Sequence, residues 1–283
     1  MESFTLLFAV LNKKRTTVLL FSLISFYARS QGTVPILGIE ASDPSFLKTR
    51  ATLEVESHIF HQPVRFYSAR IGYLYALQNQ KHQFGISVPF VHNIFNADLQ
   101  GFENTTGIGD IRMWYMGAFV TSHSLGVVKV APYVEMIAPT GSYLLGRGAG
   151  SWLYKPGVIF SYRLDPQISF YPELRFQFSL DDVNSRGGID GIPDPEDAQK
   201  DGKLQTLTLE VPAVVQLESI RAWFAIHAIY AQSFEEREYF IFFRTDFGKM
   251  ISDYTSAGLF ISKFVAGTPR LNVIVHARLQ FFF

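Results

Sequence analysis

Leu271-Asn272-Val273-Ile274-Val275-His276-Ala277-Arg278-Leu279-Gln280-Phe281-Phe282-Phe283 ends the chain, and its period decides the fold. Successive side chains of a strand point to opposite faces, so residues two apart share a face. Leu271, Val273, Val275, Ala277, Leu279, Phe281 and Phe283 therefore line one face without interruption, and Asn272, Ile274, His276, Arg278 and Gln280 line the other. A helix would scatter both sets. The period returns at 168–180, where Ile168, Phe170, Pro172, Leu174, Phe176, Phe178 and Leu180 oppose Ser169, Tyr171, Glu173, Arg175, Gln177 and Ser179. It returns again at 206–217, where Leu207, Leu209, Val211, Ala213, Val215 and Leu217 oppose Thr206, Thr208, Glu210 and Gln216.

Outward from these segments, no stretch after residue 52 sustains helical spacing. Alternation predicts about twelve strands, near 52–61, 65–77, 82–92, 109–120, 126–138, 152–163, 167–180, 204–217, 221–232, 239–247, 254–263 and 270–283. Most exceed the five or six residues usual in a soluble sheet, and about 9 to 11 tilted residues suffice to cross a bilayer. In lipid only a closed barrel satisfies every strand N–H and C=O. The expected fold is all-β: a single transmembrane antiparallel up-and-down β-barrel of about twelve strands over 52–283. A soluble sandwich or lipocalin-like barrel also alternates, but with shorter strands and more charge outside.

The connections alternate too. Short joins fall at 78–81, 121–125, 164–166, 218–220 and 248–253, and long ones at 93–108, 139–151 and 181–203. An even strand number then places both termini on the periplasmic side, with the short turns. Pro89, Pro132, Pro156, Pro172 and Pro212 all fall inside proposed strands. Each removes a ladder hydrogen bond unless a bulge or strand end absorbs it.

Composition agrees with this reading. Of 283 residues 48% are hydrophobic, 15% aromatic and 18% charged, with 27 Phe and no Cys. Soluble domains average about 25% charge, and a low-charge, aromatic chain is not a disordered segment, a basic nucleic-acid binder or a long coiled coil. The missing Cys excludes disulfide scaffolds and Cys-based zinc sites.

Lys13-Lys14-Arg15, the apolar run from Thr16 to Tyr27 and Ala28-Arg29-Ser30 read as a signal peptide over 1–30, cleaved after Ser30. Residues 31–51 would form an N-terminal periplasmic segment. The expected destination is the outer membrane of a Gram-negative bacterium, with outer-membrane lipid and lipopolysaccharide as surroundings.

Gly107-Ile108-Gly109-Asp110-Ile111 opens one strand, and Ala138-Pro139-Thr140-Gly141-Ser142-Tyr143 leads through Gly146-Arg147-Gly148-Ala149-Gly150-Ser151-Trp152 into another. These stretches resemble the signatures of outer-membrane channels associated with the meta-cleavage pathway of phenol degradation, often labelled simply transporters. The resemblance implies a barrel that passes small, even aromatic, solutes. Physically the same residues are loop and strand-start residues, with Gly at turns and Asp110 capping or pairing near a rim. Phe283, ending an alternating strand, resembles the C-terminal signal read by barrel-assembly machinery.

If the apolar faces meet lipid, the other faces line a lumen. The candidate pore-lining residues are Glu54, Glu56, Arg70, Asp110, Arg112, Lys129, Glu135, Glu173, Arg175, Glu210, Arg244, Asp246 and Arg278. Rings of one sign would set ion selectivity, whereas this balanced set suits cross-strand pairs that hold or partly fill the interior. Twelve strands sit between the eight whose side chains fill a barrel and the sixteen of open porins, so a narrow, partly filled pore is expected.

No catalytic constellation is expected: His58, His61, His82, His92, His123, His227 and His276 are scattered singly, and no P-loop, dinucleotide fingerprint or basic stripe is present. No cofactor is needed. The loop 181–203 carries four more acidic than basic residues, and its Asp190, Asp194, Asp197 and Asp201 resemble half of a thrombospondin type 3 repeat. Such oxygen ligands suit calcium, but the usual upstream alternation of Asp is missing, and the plainer reading is a solvated acidic loop. The function expected is a passive channel for small solutes. The alternatives are a non-transporting structural or assembly barrel that binds a partner through its outer loops, and an outer-membrane barrel hydrolase.

Overall fold

Strands with one apolar and one polar face close on themselves in the computed structural model. It describes residues 35–61, 64–77, 80–95, 104–122, 128–179, 205–234, 237–268 and 271–283. The 1–30 signal-peptide reading and the 181–203 loop, with Asp190, Asp194, Asp197 and Asp201, lie outside the described residues.

The segments are β1 (Arg50–Phe60), β2 (Arg65–Ala76), β3 (His82–Ile94), β4 (Thr105–Ile108), β5 (Ile111–Gly117), β6 (Phe119–Ser122), β7 (Val128–Ala138), β8 (Leu153–Arg163), β9 (Ile168–Phe170), β10 (Glu173–Ser179), β11 (Gln205–Leu217), β12 (Ala222–Ser233), β13 (Tyr239–Ser252), β14 (Thr255–Gly267) and β15 (Leu271–Phe282). β4, β5 and β6 follow one another along one stave, and β9 and β10 along another, so fifteen segments build twelve staves. Neighbouring staves pair antiparallel. β15 returns to β1, with Arg50 opposite Phe282 and Glu54 opposite Arg278, which closes the barrel.

Alternation sorts the faces as the sequence predicts. Ile71, Phe84, Leu209, Ile226, Phe247 and Leu259 are exposed on the outside, while Gln83, Glu210, His227, Asp246 and Gln280 are buried within. This inside-out distribution fits a barrel whose solvent is lipid. Exposed Trp152, Tyr230 and Tyr239 stand toward the long-loop end, and exposed Tyr75 and Tyr254 toward the short-turn end, as in the aromatic girdles of membrane barrels.

Breaks in the ladders account for the prolines. Along β3, Phe90–Asn93 pair with β4 and His82–Ser87 with β5. Pro89 lies at the gap, and its carbonyl accepts a hydrogen bond from Gly109 N–H at 2.9 Å. Pro132 faces the interruption between β5 and β6. Pro156 falls where the β8–β10 ladder skips from Gly157 to Tyr154. Pro212 faces the interruption at Tyr171 and Pro172, and its carbonyl accepts from Tyr171 N–H at 3.2 Å. A residue without an N–H is tolerated where the ladder it faces is itself interrupted.

One boundary differs from the sequence reading. The join expected at 248–253 is mostly strand, because β13 runs on to Ser252 and β14 begins at Thr255. Buried Trp223 lies over Gly248, and Met250 packs inward beside it in the buried core, so residues that look like a polar turn are held in the wall.

Ahead of β1, residues 36–49 pack into the short-turn end of the barrel, with a short helix α1 (Gly38–Ser42). Ile36 N–H donates to the carbonyl of Asp253 at 3.0 Å. Gln216 donates to Ser42 Oγ at 2.8 Å, and Gln83 to the Lys48 carbonyl at 2.9 Å. Ile36, Ala41 and Leu47 join Met116, Tyr133, Tyr171, Val214, Trp223 and Met250 in one apolar cluster, so the core lies at this end.

Candidate functional site

Inward-facing residues at mid-height form a girdle of charge that passes from stave to stave. Arg70 on β2 bonds Glu54 at 2.8 Å and Glu56 at 3.2 Å, both on β1. Glu135 on β7 lies between Arg112 of β5 at 3.5 Å and Lys155 of β8 at 3.8 Å. On β10, Glu173 takes Arg175 at 3.2 Å and also accepts from the Tyr133 hydroxyl. Glu210 of β11, His227 of β12 and Arg244 with Asp246 of β13 form a node with contacts of 2.7 to 3.0 Å. Arg278 of β15 caps the Phe260 ring at 4.7 Å, and that ring stacks on His276. Cross-strand pairs of this kind hold neighbouring staves in register.

Two of the sequence-selected residues do other work. Lys129 reaches Asp43 at 3.0 Å and so ties β7 to the N-terminal segment. Asp110 sits between β4 and β5 at the long-loop end, where its Oδ1 accepts from Gly141 N–H at 2.8 Å and its Oδ2 from Ala149 N–H at 2.6 Å.

Asp110 explains why the two glycine-rich stretches occur together. The loop 139–152 is pinned across the barrel end by that carboxylate, by Asn93 donating to the Gly146 carbonyl at 2.8 Å, and by Arg147 donating to the Thr106 carbonyl at 2.9 Å. Thr140 Oγ1 accepts from Ile111 N–H at 2.9 Å. A Cβ on Gly148 would lie 2.4 Å from Asp110 Oδ1, and one on Gly141 2.3 Å from the Arg147 carbonyl oxygen, so side chains are excluded by close approach.

Beneath the pinned loop is a cavity of about 340 Å³. Arg70, Arg112, Arg147 and Lys155 supply its cationic lining, Glu56 and Asp110 its carboxylates. Phe66, Pro89, Val91, Ile137 and Leu153 supply apolar wall. The cavity thus shares Glu56, Arg70, Arg112 and Lys155 with the girdle and extends from it to the pinned loop, while the N-terminal segment occupies the turn end.

Sequence reasoning missed Arg147, Lys155, Tyr133 and Asp43. Lys155 shares a register with Leu153 and Ile159 that periodicity could have exposed, but apolar residues on both faces of β8 hide it. Arg147 and Asp43 lie in irregular backbone, where no period operates. His227 is engaged at both ring nitrogens, by Glu210 at Nδ1 and Asp246 at Nε2, each at 2.7 Å, which leaves no free lone pair for a general base. Among the described residues no three His, Asp or Glu are grouped to hold a metal ion.

Comparison with known proteins agrees with this architecture. Residues 65–192 match the family model described as "Putative MetA-pathway of phenol degradation". An outer membrane channel from Pseudomonas putida superposes with a TM-score of 0.68 at 12% identity, over 90% of this chain and 99% of that one. The NanC porin superposes with a TM-score of 0.51 at 10% identity, over 83% and 98%. The translocator domain of the autotransporter NalP from Neisseria meningitidis gives 0.50 at 9% identity, over 95% of each chain. Among curated proteins, none matches the sequence. At these identities the likeness is one of fold, and the folds are outer-membrane barrels. The chain is a closed twelve-stranded β-barrel of the outer-membrane kind that resembles the family of the phenol MetA degradation pathway.

Proposed function

We propose that this barrel is a passive outer-membrane channel for small solutes, hydrophobic or aromatic ones among them, and not an enzyme. The observation that carries the reading is the cavity under the pinned loop, lined by charged and apolar side chains inside a wall whose outer face is apolar. The resemblance to the phenol-pathway family and the fold shared with an outer membrane channel support it. The thirteen candidate pore-lining residues are in this reading a frame, most of them paired across strands.

One observation favours a second reading, a structural barrel that transports nothing. Many girdle charges are bound in ion pairs, and the turn end is occupied by residues 36–49. That segment is not part of the wall, however. Polar contacts such as Lys129 to Asp43 and Gln216 to Ser42, with the burial of Ile36 and Leu47, are what keep it seated.

The deciding experiment is single-channel conductance and liposome swelling with refolded 31–283, using sugars, amino acids and aromatic acids, with and without calcium. Permeation of any solute supports the channel, and a calcium effect points to the 181–203 loop. A folded, inserted barrel that passes nothing refutes the channel reading and leaves the structural one.

A further inference from the structure

The loop-end cavity has a chemistry more specific than that of a water-filled pore. Its lining holds four cationic side chains and two carboxylates. One of those carboxylates, Asp110, already accepts from two loop N–H groups, and the other, Glu56, is held by Arg70 and lies 3.6 Å from His58. Behind the lining, Glu135 is divided between Arg112 and Lys155 at 3.5 and 3.8 Å, distances at which neither cation has a close partner. Arg147 has no carboxylate partner among the described residues; its guanidinium bonds only the Thr106 carbonyl there. The Nε–H donors of Arg70 and Arg147 are buried with no acceptor. Those two atoms carry almost no accessible surface, so it is the terminal nitrogens of the guanidinium, in a fork that matches a carboxylate, that the cavity presents. Phe66, Val91, Ile137 and Leu153 complete the lining, so the space offers cations beside an apolar wall, at a volume suited to a small molecule.

We propose that this cavity is a binding site for a small organic monocarboxylate, with Arg112, Arg147 and Lys155 facing the carboxylate and Phe66, Val91 and Leu153 the apolar body. The proposal names a substrate class for the channel and in that sense rests on the channel reading. An anion with an apolar body gains both a charge partner and burial, whereas a neutral isostere loses the first and a cation is repelled.

The test is a trio of near-isosteric probes, sodium benzoate, benzamide and benzamidinium chloride. Each is titrated into the folded mature chain in detergent micelles, with binding read by calorimetry and by saturation-transfer resonance. Benzoate is expected to bind about tenfold more tightly than benzamide, with benzamidinium weaker still. The Arg112→Gln/Lys155→Met double variant is expected to erase the difference. Arg147 stands in the loop and not in the wall, so Arg147→Gln tests the same point with the barrel ladders intact and should narrow the ratio severalfold. Equal binding of benzoate and benzamide by the parent chain overturns the proposal. So does a preference unchanged in both variants, because the anion is then held elsewhere. Binding in micelles needs no conduction: benzoate binding without any current in bilayers would sink the channel reading alone, and current without anion preference would sink the subsite alone.

Discussion

Replacing Asp110 by alanine should unseat the 139–152 loop and leave the barrel standing. Asp110 lies between β4 and β5 and belongs to neither ladder, while its two oxygens accept loop N–H groups at 2.8 and 2.6 Å. Hydrogen bonds to a charged acceptor contribute about 1.5 to 3 kcal/mol each, and Asp110 is only half-buried, so the lower figure applies. Two such bonds give about 3 kcal/mol, which is roughly 150-fold in the ratio of seated to unseated loop. Arg147 provides the reporter, because trypsin cuts after arginine only once the loop leaves its seat. With fast opening and closing, cleavage follows the population of the open form. The rate of cleavage after Arg147, identified by fragment mass, should rise by up to that factor, less the share retained by Asn93, Thr105 and Thr140. Gly148→Ala should act in the same direction by pressing a methyl group against Asp110 Oδ1. Heat-modifiable gel mobility, which reports the closed barrel, should not change. If both variants are cut after Arg147 within about threefold of the parent rate, the carboxylate does not hold the loop and the reasoning fails.

Other consequences can be checked on the same preparation. Deleting residues 31–46, or Asp43→Ala with Gln216→Ala, should raise single-channel conductance, because these changes remove or loosen the segment at the turn end; unchanged conductance would mean that the segment does not limit passage. His227→Leu leaves Glu210 and Asp246 with Arg244 alone, and should lower stability in urea by about 3 kcal/mol, while the double variant with Glu210→Gln, which leaves Arg244 one carboxylate at Asp246, should recover most of that loss. Ile71→Arg, at a position 69% exposed on the outer face, should cost about 2 to 4 kcal/mol in bilayer refolding, and no loss there would argue against lipid contact.

How legible the molecule was in its sequence depends on whether a period operates. Strand residues announce their face by position, so the outward set that includes Leu209, Val211 and Val215 and the inward set of Thr208, Glu210 and Gln216 were readable from one stretch. The inner charges followed, since nearly all of them sit on alternating strands. The prolines could be flagged but not explained, because a ladder break is a relation between two strands, as Pro212 and the Tyr171–Pro172 interruption show. The glycine-rich motifs could be matched to a family, but their physical reason needed the contact of Gly148 with Asp110, 38 positions earlier.

By itself, then, the sequence determined the strand period, the apolar outer face and the balanced inner charge, because local geometry alone links those to residue order. The tertiary structure decided which charges pair, that the 139–152 loop roofs a cavity, and that residues 36–49 pack into the turn end. Those features depend on residues brought together by closure of β15 on β1, and closure is a property of the whole chain that no local period encodes.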